Sequence, residues 1–218
     1  MVALVIPELK LAYIHIPKTA GTSISSWMRK QLTKKNIEFI NYGHIHQSLK
    51  DLAVPNDYTI ISSIRNPWDR MVSVYHYAKK IKENNPKISM LLRTDQPEEQ
   101  IPEFNQWILN IQNYELNVGA EKHFNSPMDD GHWPKEKFWW NLITPQSAWL
   151  HREPDILIKF ETLHNDSRQL NDIFSSSEDI SHTNISDHKN YKTYYTPESI
   201  DIISKYYSAD LKRWDYKY

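Results

Sequence analysis

The sequence contains no cysteine, which removes disulfides, zinc-thiolate sites and thiol nucleophiles together while leaving the redox compartment open. It has no excess of charge of either sign: 26 lysines and arginines stand against 27 aspartates and glutamates, for a formal net charge of -1. With those charges spread along the chain, nucleic acid is not expected as a bulk polyanion partner, and any recognition of anions has to be local. No window approaches the roughly 18 uninterrupted apolar residues of a membrane span. Residues 1–6 are apolar but short, lack a basic start and a small-residue cleavage site, and run into Pro7-Glu8, so no signal peptide is expected. These absences point to a cytoplasmic protein without a membrane span. There is no internal repeat or low-complexity tract, and 218 residues suit one domain with a full core better than two large ones.

What is present is an alternation of strand and helix. Residues 11–16 are a strand candidate, and Ile24, Trp27, Met28 and Leu32 then recur at helical spacing. Residues 37–40 are a short second strand, 42–46 a loop, and 58–64 a third strand with the near-continuous apolar character of a buried parallel sheet. Pro67 suits the first turn of the next helix, whose core-facing stripe is Met71, Val74, Tyr75, Ala78 and Ile81. Residues 155–160 are another strand, 162–174 a helix, and 175–195 a polar loop. In the closing helix Thr196 can act as cap, Pro197 takes the first position, and Ile200, Ile203, Tyr207, Leu211 and Trp214 form the buried face. This order predicts an α/β domain with a parallel sheet covered on both faces. Between about residues 83 and 142 the pattern weakens, with prolines at 86, 97, 102, 127 and 134 and a helix candidate only at 103–116. That segment reads as an irregular elaboration for binding an acceptor. Its His123, His132, Trp133, Trp139 and Trp140 can line a hydroxyl-bearing ligand by stacking, although clustered aromatics also build cores.

The chemistry begins where the first strand runs out. Pro17-Lys18-Thr19-Ala20-Gly21-Thr22-Ser23 brings backbone N–H groups, hydroxyls, a helix N-terminus and an ammonium to one point, a cradle for phosphate or sulfate. It is not a Walker sequence, because the Gly-x-x-x-x-Gly-Lys-Ser/Thr spacing is absent and the lysine precedes the glycine. Nor does an acidic residue end the third strand to hold magnesium, since it leads into Arg65-Asn66-Pro67. Neutralisation falls to Lys18, the N–H groups and the hydroxyls of Thr19, Thr22 and Ser23, with no metal. A second constellation runs from Arg65 to Tyr75. At about 100° per residue, Ser73 lies away from the stripe of Met71, Val74 and Tyr75, so its hydroxyl need not be buried in the core. Arg65 and Ser73 can grip a second phosphate, for which the planar guanidinium fork is suited; alternatively Arg65 is a structural salt-bridge partner of Asp69 or Glu161. His15, inside the first strand, reads as structural.

These residues carry a family resemblance. Ile16 through Ser23 resembles the 5′-phosphosulfate loop of the sulfotransferases, and Arg65 through Tyr75 resembles their 3′-phosphate motif, Arg-Asp-Pro-x-x-Arg-x-x-Ser-x-Tyr, with Asn66 where aspartate is usual. Within the family the similarity is to the carbohydrate branch that includes heparan sulfate 2-O-sulfotransferase. Pro145-Gln146-Ser147, Ile158-Lys159-Phe160-Glu161-Thr162-Leu163, Asn184-Ile185-Ser186 and Tyr206-Tyr207-Ser208-Ala209-Asp210-Leu211 extend it over most of the chain outside residues 83–140.

The resemblance implies a P-loop-like three-layer α/β fold, with a central parallel sheet flanked by helices. It implies 3′-phosphoadenosine 5′-phosphosulfate (PAPS) as donor, released as adenosine 3′,5′-bisphosphate, and no metal. Pro17, Lys18, Thr19, Ala20, Gly21, Thr22 and Ser23 would then take the phosphosulfate end, and Arg65 with Ser73 the 3′-phosphate. Tyr42-Gly43-His44-Ile45-His46 resembles the segment that supplies the family's catalytic histidine, with Gly43-His44 as the matching pair and His46 in reserve. A histidine titrates near neutral pH and can accept the proton of an attacking hydroxyl, while Lys18 stabilises charge on the departing bridging oxygen. Asn184, Ser186 and Lys189 are expected to close over the nucleotide, and Tyr191 to stack on adenine or anchor that loop. His46, His132 and Trp133 are the candidate contacts to the acceptor, a hydroxyl of a carbohydrate or small molecule. Two other functions remain in play: a non-catalytic nucleotide- or carbohydrate-binding module on the same fold, and a P-loop kinase.

Overall fold

Short apolar segments near the start of the chain become a sheet. The computed structural model describes residues 3–41, 48–50, 52, 54–84, 102–118, 142–180 and 189–218. In it β1 (Leu4–Ile6), β2 (Leu11–Ile14), β3 (Ile40–Asn41), β4 (Thr59–Ile64) and β5 (Ile156–Lys159) form one five-stranded sheet in the order β3-β1-β2-β4-β5. Strands β2, β4 and β5 run parallel, as the strand-helix alternation predicts. The sheet is nevertheless mixed, because β1 pairs antiparallel with both β2 and β3. The apolar opening of the chain is thus a strand, which three residues are too few to announce by periodicity. Its direction is set by the turn that follows. Pro7–Leu9 form a 3-10 turn closed by left-handed Lys10 (φ 49), whose N–H donates to the Pro7 carbonyl, and a reversal this tight joins antiparallel neighbours.

The described residues fall into two compact units, Met1–Asn66 with Gln146–Ile185 and Pro67–Pro145 with Ser186–Tyr218. The first holds the sheet. Pairing of Leu4 with Tyr13, Ile6 with Leu11 and Tyr13 with Ile61 puts these side chains on one face, since successive residues of a strand alternate. That face shares a core with Ile24, Trp27, Met28 and Leu32 of α1 (Gly21–Lys34). Leu163 of α4 (Leu163–Asp166), Leu170 of α5 (Arg168–Ile173) and Phe174 complete the cluster. Ala12, Ile14, Ile60 and Ile64, on the other face, are fully buried as well, which is why the strands read as continuous apolar runs. The helix expected over 162–174 breaks at Ser167, between α4 and α5.

The second unit is helical: α2 (Pro67–Asn84), α3 (Phe104–Val118), α6 (Pro197–Tyr206) and α7 (Ser208–Trp214). Met71, Val74 and Tyr75 pack with Phe104, Trp107, Ile108, Ile203 and Tyr207 in its core. The single closing helix predicted from the sequence is two. They part at Tyr207, where the backbone leaves helical values (φ -98, ψ 21) and the buried phenol donates to the Ile143 carbonyl. Ser73 is nevertheless buried: it is 1% exposed, and Arg70, on the same helix, is 0% exposed. α2 buries more than the one stripe that helical spacing reports. Arg70 is tolerated there because its guanidinium donates to the carbonyls of Thr144 and Leu142, each at 2.9 Å, which meets the requirement that a buried charge be hydrogen-bonded. Among the described residues no helix is long and apolar enough to cross a membrane.

Candidate functional site

Between β2 and α1 the backbone twice enters the left-handed region, at Lys18 (φ 67) and Ala20 (φ 68). For a residue with a Cβ this costs roughly 1–2 kcal/mol, and such strain persists where the surroundings over-determine it, commonly at ligand clamps. Left-handed residues in a tight turn aim backbone N–H groups into a concavity suited to an anion. Ala20 is also the N-cap of α1, makes no side-chain cap bond, and is followed by no acidic residue in the first turn. Neither the N-cap side chain nor an acidic residue of the first turn therefore offsets the positive end of the helix.

The loop is pinned from beneath by hydroxyls. Thr19, 0% exposed, donates to the Ile16 carbonyl at 2.8 Å and meets Ser63 of β4 at 2.8 Å; Ser63 in turn meets the Tyr13 hydroxyl at 2.9 Å. Burial pushes the Tyr13 phenol well above its ordinary pKa, so it stays neutral in this chain of hydroxyls. The Thr19 hydroxyl faces the sheet and shapes the loop, while Thr22 is partly exposed. Gly21 is required by a close approach: a Cβ there would lie 1.8 Å from Cδ2 and 2.1 Å from Nε2 of His15. The His15 ring is buried and lies nearly parallel to that of Tyr13 (6.2 Å between centroids, 23°). It thus fills the space behind the first residue of α1, a structural part as the sequence suggests.

The second motif starts where sheet pairing stops, at Ile64 opposite Lys159. One residue on, the Arg65 N–H donates to Oε1 of Gln146 and Nε2 of Gln146 donates to the Arg65 carbonyl, both at 2.8 Å. The Asn66 N–H donates to the Glu161 carboxylate at 2.5 Å. The Arg65 guanidinium stacks on Phe160, with Cζ 3.9 Å from the ring centroid, and Nη1 donates to the Lys18 carbonyl at 3.4 Å. Two segments far apart in sequence are joined here. Because β2 and β4 are parallel neighbours, with Ile14 opposite Ser62, their C-terminal ends reach the same edge of the sheet, the edge at which open α/β sheets bind ligands.

Of the residues expected to act, Pro17, Lys18, Thr19, Ala20, Gly21, Thr22, Ser23 and Arg65 come together in the first unit. Ser73, Lys189 and Tyr191 belong to the second. There Lys189 is exposed, and Tyr191 opens the 3-10 turn Tyr191–Thr193 and meets the Tyr218 ring edge-on at 5.8 Å. His44, His46, His132, Trp133, Asn184 and Ser186 lie outside the described residues. Sequence reasoning missed the supports Ser63, Gln146 and Phe160, and it offered Glu161 as an ion-pair partner of Arg65 but not as the acceptor of the Asn66 N–H. Adjacent hydroxyls at Ser62 and Ser63 in an otherwise apolar strand are a usable signal; Gln146 and Phe160 stand in recognised segments without a role.

Among the described residues, no three His, Asp or Glu side chains gather as metal ligands would. The loop and the adjoining strand end carry a lysine, an arginine, hydroxyl residues at Thr22 and Ser23 and a helix N-terminus, residue types that suit an anion with several charges. Compared with known proteins, the chain matches the sequence model of the sulfotransferase family over residues 2–217. No curated protein and no solved structure matches it.

Proposed function

The chain belongs to the sulfotransferase family, and from that premise we propose that it moves a sulfuryl group from PAPS to a hydroxyl of a carbohydrate or small-molecule acceptor, in line and without a metal. Membership makes it a transferase of sulfuryl groups. The observation that carries it is the hydrogen bond from the Arg65 guanidinium to the Lys18 carbonyl, which holds the two candidate anion motifs beside each other. A ligand with a phosphosulfate at one end of a ribose and a phosphate at its 3′ position has anions for both. The left-handed backbone at Lys18 and Ala20 and the start of α1 that follows it fit such a group.

When bound, the donor supplies a sulfuryl group activated as a phosphosulfate anhydride. Lys18 and the N–H groups of residues 18–23 would hold the charge at that end, and the Lys18 ammonium would stabilise negative charge on the departing group. Arg65 holds the 3′-phosphate through charge-assisted hydrogen bonds. Ser73, Asn184, Ser186, Lys189 and Tyr191 keep the nucleotide-binding roles that the resemblance gives them. The His44 imidazole accepts the proton of the acceptor hydroxyl, with His46 next in line, and His46, His132 and Trp133 contact the acceptor. The carbohydrate acceptor rests on the likeness to the heparan sulfate 2-O-sulfotransferase branch.

The test is calorimetric titration of adenosine 3′,5′-bisphosphate with and without EDTA, followed by labelled sulfate transfer to a panel of carbohydrate and small hydroxyl acceptors. EDTA-insensitive binding together with transfer is expected. Binding with no transfer to any acceptor would identify a binding module, and magnesium-dependent binding of ATP a kinase.

A further inference from the structure

We infer that Gln146 is a positioning residue of the donor site, which fixes the main chain of Arg65 and so aims its guanidinium; this rests on the reading of Arg65 as a ligand of the donor's phosphate. The sheet supplies backbone partners only as far as Ile64 and Lys159. Beyond that point the N–H and C=O of Arg65 need other partners, because buried main-chain polar groups are costly unpaired. Gln146 provides both at once, its Oε1 accepting and its Nε2 donating at 2.8 Å each. A side-chain carboxamide thus forms one more rung of the ladder. A carboxamide offers a donor and an acceptor side by side in one plane: an ionised Glu would set a second oxygen against the Arg65 carbonyl, and Leu would offer neither.

The rung is rigid because Gln146 is 0% exposed and sits in the 3-10 turn Gln146–Trp149. The neighbouring residue is held in the same way by Glu161, on the Asn66 N–H. Main chain fixed from two directions leaves Arg65 little freedom at its base. Its far end is set by the face of Phe160 and the Lys18 carbonyl, so the remaining N–H groups lie in a defined plane, as a stacked guanidinium donates within its own plane. Rotation of the main chain at residue 65 would be magnified at the end of so long a side chain. Displacements of about 1 Å are enough to cost binding groups much of their effect.

The experiment is a double-mutant cycle read by calorimetric affinity for adenosine 3′,5′-bisphosphate, with thermal melting alongside and donor KM against kcat as a second readout. With Arg65 present, Gln146→Leu is expected to weaken binding roughly 10- to 100-fold, the effect of misdirecting a hydrogen bond to a charged group, and to raise donor KM while leaving acceptor KM unchanged. In the Arg65→Ala background the same change is expected to alter affinity by less than about 2-fold, since the group it aims is gone. Gln146→Glu, which keeps the acceptor for the Arg65 N–H, carries the same cycle if the leucine variant does not fold. If Gln146 variants lose nothing, or lose as much with alanine at 65 as with arginine, the inference is overturned while the donor-site reading stands. If Arg65→Ala itself leaves affinity unchanged, the reading of Arg65 falls and this inference with it.

Discussion

At Gly21 a single hydrogen stands where any other side chain would begin inside the imidazole of His15, with a Cβ 1.8 Å from its Cδ2. Gly21→Ala is therefore expected to destabilise the fold by roughly 1–3 kcal/mol, as over-packing of a buried site does, measured from urea unfolding. The obstacle is a ring rather than backbone, so the His15→Ala background should change the sign. There Gly21→Ala no longer meets the imidazole and should be neutral or stabilising by up to about 1 kcal/mol. Equal losses in both backgrounds would mean that the backbone at residue 21, not the imidazole, forbids a side chain. At Lys18, alanine keeps the Cβ and the left-handed backbone but removes the ammonium. Turnover of Lys18→Ala is expected to fall on the order of 100-fold or more, as when other transition-state charge stabilisers are removed, with stability held within about 0.5 kcal/mol. Steady-state rates and thermal melts decide this, and unchanged turnover would move the charge-stabilising role elsewhere.

Among the helices, α6 starts with a capping box formed by Thr196 and Ser199. Thr196 Oγ1 accepts from the Ser199 N–H at 3.4 Å, Ser199 Oγ accepts from the Thr196 N–H at 2.9 Å, and Ser199 Oγ also donates to Asn105 of α3 at 2.6 Å. Loss of an N-cap hydroxyl typically costs about 1 kcal/mol. Thr196→Ala should lose that much in chemical denaturation and Thr196→Ser almost none; equal losses would assign the effect to the threonine methyl. At α1 the relevant group is Glu178, whose carboxylate takes Lys30 at 2.7 Å, Gln31 at 3.1 Å and Lys34. Hydrogen bonds from Lys30, Lys34 and Gln31 hold its carboxyl down to about 2, below the ordinary 4.5. A folded-state pKa below the unfolded one means stability that is fully present above about pH 4.5 and lost as pH falls toward 2. Wild type and Glu178→Gln should thus differ most near neutral pH and low salt, and converge as acid protonates the carboxyl or salt screens it. A pH-independent gap between their urea midpoints would assign the difference to packing. The α6 cap and the α1 stripe are legible in the sequence because both signals are local. The burial of Ser73 is not legible, because spacing reports one helix face and α2 buries more. The rung at Arg65 leaves no local trace, since its partner Gln146 is 81 residues away.

In the whole molecule the chain visits each unit twice, crossing after Asn66, Pro145 and Ile185. The first unit's core cannot be assembled from its first visit alone. Ile158, Leu163, Leu170, Phe174 and Ile180 arrive on the second, together with β5, which completes the pairing of β4, and with Gln146 and Phe160, which hold Arg65. Without them β4 becomes an unpaired edge, and half-covered apolar strands with open edges associate rather than fold. Residues 1–145 produced alone are therefore expected to show no cooperative urea transition by circular dichroism and no calorimetric binding of adenosine 3′,5′-bisphosphate, although the loop of residues 15–23 is intact in sequence. The full chain should show both. Contacts of such sequence separation also delay folding, because the intervening loop must close before β4 and β5 can pair. A sigmoidal transition in the fragment would show that residues 1–145 suffice as a folding unit. Ligand binding by that fragment would show further that the anion loop needs neither β5 nor the side-chain rung on Arg65.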